Sequence, residues 1–461
     1  MIGHKAPWFV AVSSAAPLRT LLRLAVPMVL ARASQSVITF ADAIQVKHLG
    51  VKAIAATATG GLNVIGFVIL AMGTAFIVQS FVAQLAGRGD RDETPRFAWY
   101  GLALARGAAV IAIALIPLVG PALALTGYSS ELREQMTDYM AIRMLSVGAI
   151  VGVEALGNWY GGLGNTWMQM IAGIITMVAA VVLNWVLIGG HLGAPAMGVN
   201  GAALASTIAS FLGFGFLAIA FWRRWGGAPT ARATELSLPE LVRVLRFGLP
   251  NGLNWFLEFA AFQLFVNGVL ASLGDDTVAA LNVVIAVNSI SFMPAFGLAS
   301  AGAILAGQAI GRDARHAVWP QVKITLLCTM TWMGGIGLVY AMFPAYVLSL
   351  FASEYSGQLV AIGTTMLVIS AAWQLTDAVG MTLAETLRAA GDTTWTAAAR
   401  VVLAWAVFTP AAFLVVTRFH GGPIGAMLCL VGYLGLLAMA LAWRFKSGAW
   451  KRIELIEPKL V

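Results

Sequence analysis

Charge is scarce in this sequence. Only 10% of its 461 residues are Asp, Glu, Lys or Arg, and 60% are hydrophobic, with a mean hydropathy of +0.85. Soluble domains carry about 25% charged residues, so a soluble globular chain is excluded. No long polar stretch is present to form a separate soluble domain. Cysteine is nearly absent. Cys328 and Cys429 lie in apolar runs and read as small core residues, without a pattern that pairs them. His4, His48, His191, His316 and His420 are scattered through tails and loops, so metal-ligand spacing is missing. No Gly-Lys-Ser/Thr loop can cradle a phosphate, which excludes an ATPase, and no other enzyme signature is found. The net charge of +8 sits in loops beside apolar runs, which argues against nucleic acid as a partner. Residues 1–19 are mildly basic and lead into a full apolar run, so no cleavable leader is expected.

What is present is apolar helix. A bilayer core of about 30 Å takes roughly 20 helical residues to cross. Twelve spans are expected, at 22–46, 52–86, 97–119, 136–160, 167–189, 198–222, 242–272, 277–310, 317–341, 357–387, 395–417 and 422–444. The run 52–86 exceeds one straight crossing, and Gly60, Gly61, Gly66 and Gly73 predict a bend or tilt there. Most loop arginines, among them Arg19, Arg23, Arg88, Arg91, Arg96, Arg223, Arg224, Arg243, Arg246, Arg312, Arg315 and Arg444, fall on one side of these spans. The other side holds only Lys47, Lys52, Arg133 and Arg418, so both termini are expected in the cytoplasm.

The chain also repeats itself. Leu49-Gly50 and Leu273-Gly274, Gln84 and Gln308, and Gly87-Arg88 and Gly311-Arg312 all stand 224 positions apart. Such a register indicates an internal duplication. "GLGNT" at 162–166 returns as "AAGDT" at 389–393, and "GVNGAA" at 198–203 as "GPIGAM" at 422–427. The first pair predicts tight turns, with Gly at positive φ and Asn or Asp bonding its own backbone. The expected fold is an all-α membrane protein of twelve transmembrane helices in two pseudo-twofold-related six-helix bundles. Its parts are a cytoplasmic tail 1–21, an N-terminal bundle 22–222, a basic linker 223–241, a C-terminal bundle 242–446 and a cytoplasmic tail 447–461.

An acid at bilayer depth costs about 2.5–3.5 kcal/mol or more and is a functional candidate by default. Glu258 lies twelve residues beyond Arg246 and Asp377 eleven before Arg388. At 1.5 Å per residue these are depths of about 18 and 16 Å, near the midplane. Asp42 lies five residues before Lys47, in the outer part of the first span. Each has polar company at helical spacing: Thr39 and Gln45 around Asp42, Asn254 before Glu258 and Gln374 before Asp377. Asn184, at a depth like that of Asp42, can ligate a cation, bond a carboxylate or serve as a packing contact. A buried carboxyl group can carry a proton or pair with a cation. Other intramembrane charges read as structural. Glu154 is expected to pair with Arg32 or Arg106. Lys323, Glu385 and Arg400 read as charges near cytoplasmic ends that snorkel or pair with one another. Arg143 has no evident partner.

"RLAVPMVL" with "FADAIQVKHLG", then "VAQLAGRGD", "LNWVLIGG", "GVNGAALAS", "RFGLPNGLNWFLE", "GQAIGR" and "LRAAGDTTW", in this order, resemble the MATE family of multidrug and toxic compound extrusion transporters over nearly the whole chain. Glu258 with Asp377 resembles the NorM-type branch. The resemblance implies a V-shaped twelve-helix fold in the bacterial inner membrane, working as a monomer without a cofactor. It also implies export of organic cations in exchange for H+ or Na+. Asp42, Glu258 and Asp377 would be the coupling and substrate acids, with Asn184 near the first. Lys47 stands where the family often has Gly, and Ala180 where it often has a second Asn; both departures favour protons over a Na+ site. Two rivals remain: a flippase for lipid-linked saccharides of the same superfamily, and a non-transporting sensor.

Overall fold

The computed structural model describes residues 17–229, 236–349 and 357–456, all helical where regular. Apolar segments that meet lipid must satisfy every backbone N–H and C=O internally, and only a helix does this within one segment. In chain order the α-helices are α1 (Pro17–Val46), α2 (Val51–Ala75), α3 (Val78–Arg88), α4 (Pro95–Ala124), α5 (Ser130–Met144), α6 (Val147–Gly162), α7 (Thr166–Gly189) and α8 (Gly198–Arg223). There follow α9 (Leu238–Leu264), α10 (Asp275–Gly311), α11 (Val318–Met342), α12 (Pro344–Ser349), α13 (Gly357–Ala389), α14 (Thr393–Val402), α15 (Thr409–Thr417) and α16 (Gly422–Ser447). Eleven stretches of the described chain are long and apolar enough to cross a bilayer, and the α5–α6 pair, bent by 42°, makes a twelfth.

The duplication is written in the backbone. The 3-10 turn Lys47–Leu49 has its counterpart in Ala271–Leu273, and Arg91–Glu93 in Arg315–Ala317, all in the 224 register. Gly50 (φ 97°, ψ 173°) and Gly274 (φ 103°, ψ 161°) start α2 and α10 in a conformation that a Cβ would strain. Gly164 and Gly391 have φ of 85° and 88°, as the two turns require. The turn side chains act differently from expectation. Asn165 donates to the Gly226 carbonyl at 2.9 Å, and Asp392 accepts from Arg444 at 2.7 Å. Both are almost fully buried, so their polar groups tie the turn to a neighbouring element and leave their own backbone aside.

Residues 30–229 and 236–252 form one compact unit, and residues 17–29 with 253–349 and 357–456 form the other. Packing rather than chain order draws the junctions, which fall inside α1 and α9. Pro27 and Pro250, which interrupt the helical ladder, stand beside them. In the first unit the start of α9 lies on α2 through the "GLPNG" face. A methyl on Gly252 would sit 2.3 Å from the Leu70 carbonyl oxygen, and one on Gly248 2.7 Å from that of Thr74. Asn251 donates to the Gly73 carbonyl at 2.7 Å. Small residues four apart admit such backbone contact between helices. Two glycines of the second span therefore serve approach: Gly73 meets Gly252 and Gly60 meets Tyr139. The interruption of that span comes at Phe76 and Ile77, between α2 and α3. In the second unit α13 is central and packs on α10, α11 and α16.

Gly252→Val is expected to cost about 1–3 kcal/mol, the usual penalty of overpacking. Gly215→Ala, where nothing lies within 4 Å, is expected to be neutral or stabilising. Thermal unfolding in detergent checks both, and equal melting of the two variants would contradict the close-approach role.

Candidate functional site

Each unit holds its own carboxylate centre. In the first, Asp42 on α1 accepts a hydrogen bond from the Asn184 amide on α7. Asn184 is fully buried, and its Oδ1 has no hydrogen-bond partner among the described residues. Gln45, one turn beyond Asp42, donates to the Val181 carbonyl at 3.3 Å, and its Oε1 is likewise buried without a partner. Buried acceptors without donors favour a cation or a proton carrier beside them. The side chain of Thr39 lies outside the described residues. Arg143, left without a partner by the sequence, donates to Ser146 Oγ at 3.3 Å, and its charge acts on Asp42 and on Tyr139.

Deeper in the same unit Arg32 grips Glu154 by two bonds, at 2.9 and 3.3 Å. Asn158 adds a third to the carboxylate at 3.0 Å. Both charged residues are buried, and the Arg32 guanidinium lies 5.7 Å from the centre of the Phe76 ring. Glu154 thus takes Arg32, one of its two expected partners. All its charge is matched inside the bundle, the arrangement of a structural pair.

In the second unit both oxygens of Glu258 on α9 are engaged. Oε2 accepts from Arg400 on α14 at 2.6 Å, and Oε1 from the Tyr433 hydroxyl on α16 at 3.2 Å. This corrects the expectation for Arg400, which pairs with Glu258 and not with Glu385, whose own partner is Arg388. The backbone explains how it is placed. Leu403–Phe408 forms a π turn directly after α14, and its Trp405 indole donates to the Leu257 carbonyl at 3.1 Å. Phe265–Leu270 forms a second π turn after α9. Phe265 and Phe408 meet with ring centres 4.9 Å apart, and Phe408 and Tyr433 at 5.3 Å. Single π turns inside helices re-aim side chains and cluster at functional sites.

Asp377 on α13 is half-buried and carries no hydrogen bond among the described residues; the charges acting on it are Arg400 and Glu258. Gln374, expected beside it, faces elsewhere. It donates to Asn288 at 2.6 Å and accepts from Ser291 at 2.7 Å, so it joins α13 to α10. Asn254, one turn before Glu258, is buried with its Oδ1 unpartnered. Glu385 pairs with Arg388 at 2.6 Å, and Lys323 lies 5.2 Å from the centre of the Trp319 ring. Arg400 and Tyr433 were the residues that sequence reasoning missed. Tyr433 had a usable signal, since it stands eleven residues before Arg444, as Asp377 does before Arg388.

Comparison with known proteins places this geometry. The MatE family model matches the chain twice, over residues 27–186 and 253–414. A probable multidrug resistance protein NorM of Thermotoga maritima is 24% identical over 94% of this chain and 93% of its own length. The multidrug resistance protein NorM of Aliivibrio fischeri is 26% identical over 92% of this chain and 94% of its own. Among solved structures, MATE in complex with MaL6 superposes with a TM-score of 0.87 at 21% identity, covering 96% of this chain and all of that one. A MOP superfamily transporter from Pyrococcus furiosus, whose reversed pocket polarity suggests a different function, superposes with a TM-score of 0.85 at 21% identity. That match covers 95% of this chain and 97% of the other. These structural likenesses establish the twelve-helix fold.

Arg32→Met leaves Glu154 buried without its counter-charge and is expected to cost about 3–5 kcal/mol. Arg32→Met with Glu154→Leu removes both charges and is expected to recover most of that loss. Melting of the purified variants tests this, and a double variant no more stable than the single one would contradict the pairing.

Proposed function

The chain belongs to the MatE family, and from this membership together with the carboxylate centres of its two units we propose a secondary-active multidrug efflux antiporter. It exports organic cations in exchange for H+ or Na+, from a multi-pass position in the bacterial inner membrane with both termini cytoplasmic, and works as a monomer. The observation that carries this reading is the pairing of a membrane-embedded carboxylate with unsatisfied oxygens. Asp42 lies against Asn184, whose Oδ1, like Gln45 Oε1, has no donor among the described residues. Oxygen donors of this kind suit a hard cation or a transferred proton. In the second unit Asp377 has no hydrogen bond among the described residues, while Glu258 is held by Arg400 and Tyr433.

The cycle follows from competition. When the site opens outward, H+ or Na+ binds a carboxylate and an organic cation leaves. When it opens inward, the ion departs and the vacated charge takes a new organic cation. A ligand shifts such an equilibrium only by its different affinity for the two states, and one carboxylate shared by two cations supplies that difference. Membrane acids favour this cargo over the pyrophosphate of lipid-linked saccharides, which a flippase would meet with basic groups.

Efflux of ethidium from proteoliposomes under an imposed pH or Na+ gradient tests the proposal. Asp42→Asn and Asp377→Asn are each expected to lower it by about tenfold or more, a change of roughly 1.4 kcal/mol or greater. Undiminished efflux in both variants would refute the assignment of the acids.

A further inference from the structure

The second unit places two acids and one arginine together, and the arginine has no role in the exchange described above. Arg400 Nη1 lies 2.6 Å from Glu258 Oε2, and the Tyr433 hydroxyl 3.2 Å from Oε1. Glu258 is thereby satisfied at both oxygens. Its side chain is nevertheless 33% exposed and that of Arg400 17%, so neither is sealed away. Asp377 feels the charges of both and is hydrogen-bonded to neither. The pair is also mechanically anchored, because the turn following Arg400 is fixed to the backbone of Leu257 through Trp405.

We propose that Arg400 is a resident cation that sets the charge of the cargo accepted by the second unit. Glu258 and Asp377 contribute two negative charges and Arg400 returns one positive charge. One carboxylate's worth of charge, centred on Asp377, is left to be matched by a ligand. Inside a membrane protein an unmatched charge is costly in either direction, so a ligand of one positive charge fits and one of two does not. Arg400 is therefore a specificity-determining residue that excludes dications. It acts by occupying Glu258, and the planar guanidinium suits this task because it stays charged at all accessible pH. The inference rests on the efflux reading and adds the charge class of the substrate.

The test is equilibrium binding to the purified full-length transporter at pH 8.5, with tetraphenylphosphonium as the monocation and methyl viologen as the dication. The wild type is expected to prefer tetraphenylphosphonium by about tenfold or more. Arg400→Gln leaves two negative charges and is expected to raise viologen affinity by about tenfold, narrowing or reversing the preference. The double variant Glu258→Gln with Arg400→Gln again leaves one negative charge and is expected to restore the monocation preference. That restoration is a result that a merely structural salt bridge would not give. If Arg400→Gln binds both probes in the wild-type ratio, or the double variant behaves as the single one does, the inference is overturned while efflux stands. If the wild type binds neither probe, the efflux reading falls and the inference with it.

Discussion

A charge that water cannot reach must be answered by the protein. In a chain that is 60% hydrophobic this constraint governs where its buried acids point. Asp42 is answered by an amide, Glu154 by a guanidinium and an amide, and Glu258 by a guanidinium and a phenol. The same rule turns Asn165 and Asp392 away from their own turns and towards neighbouring elements. Against this background the groups left unanswered stand out. Among the described residues, those beside the candidate acids are the side-chain carbonyls of Asn184, Gln45 and Asn254, together with the carboxylate of Asp377.

The duplication supplies two copies of one scaffold and then lets their chemistry diverge. The glycine-initiated helices, the 3-10 turns and the 224 register are shared. The acids are not placed at equivalent positions. The first unit meets Asp42 with the neutral Asn184 amide, with the charge of Arg143 acting on it from nearby. The second meets one of its two acids, Glu258, with a cation, Arg400. Two π turns, joined by Phe265 and Phe408, occur beside that second centre, where α9 and the α14 region bring Glu258 and Arg400 together.

Much of this was legible in the sequence. Helices in lipid announce themselves by hydropathy, and a break as short as Gly164-Asn165 still leaves a positive-φ glycine as its mark. Glu154 with Arg32 and Asp42 with Asn184 were within reach because depth along a helix is a count of residues. Depth alone does not give azimuth, and that is where reading failed. Gln374 is three residues from Asp377, yet it points into the α10 seam formed by Asn288 and Ser291. Arg400 was assigned by its distance from the nearest helix end, whereas the π turn after it and the Trp405 bond aim it at Glu258. The break after α2 falls at Phe76 and Ile77, while Gly60 and Gly73 of the same span make close contacts with Tyr139 and Gly252. A one-dimensional pattern records periodicity and not which neighbour claims a side chain.

The central claim is exchange: one organic cation moves only as an ion moves the other way through the same carboxylates. The most direct measurement runs the cycle backwards. Proteoliposomes are given a gradient of organic cation alone, with membrane potential clamped, and the lumen is monitored for H+ with a pH-sensing dye and for Na+ with a sodium-sensing one. Exchange predicts uphill movement of one of these ions, opposite to the cation and lost with Asp377→Asn. Passage of the organic cation with neither ion moving would contradict it.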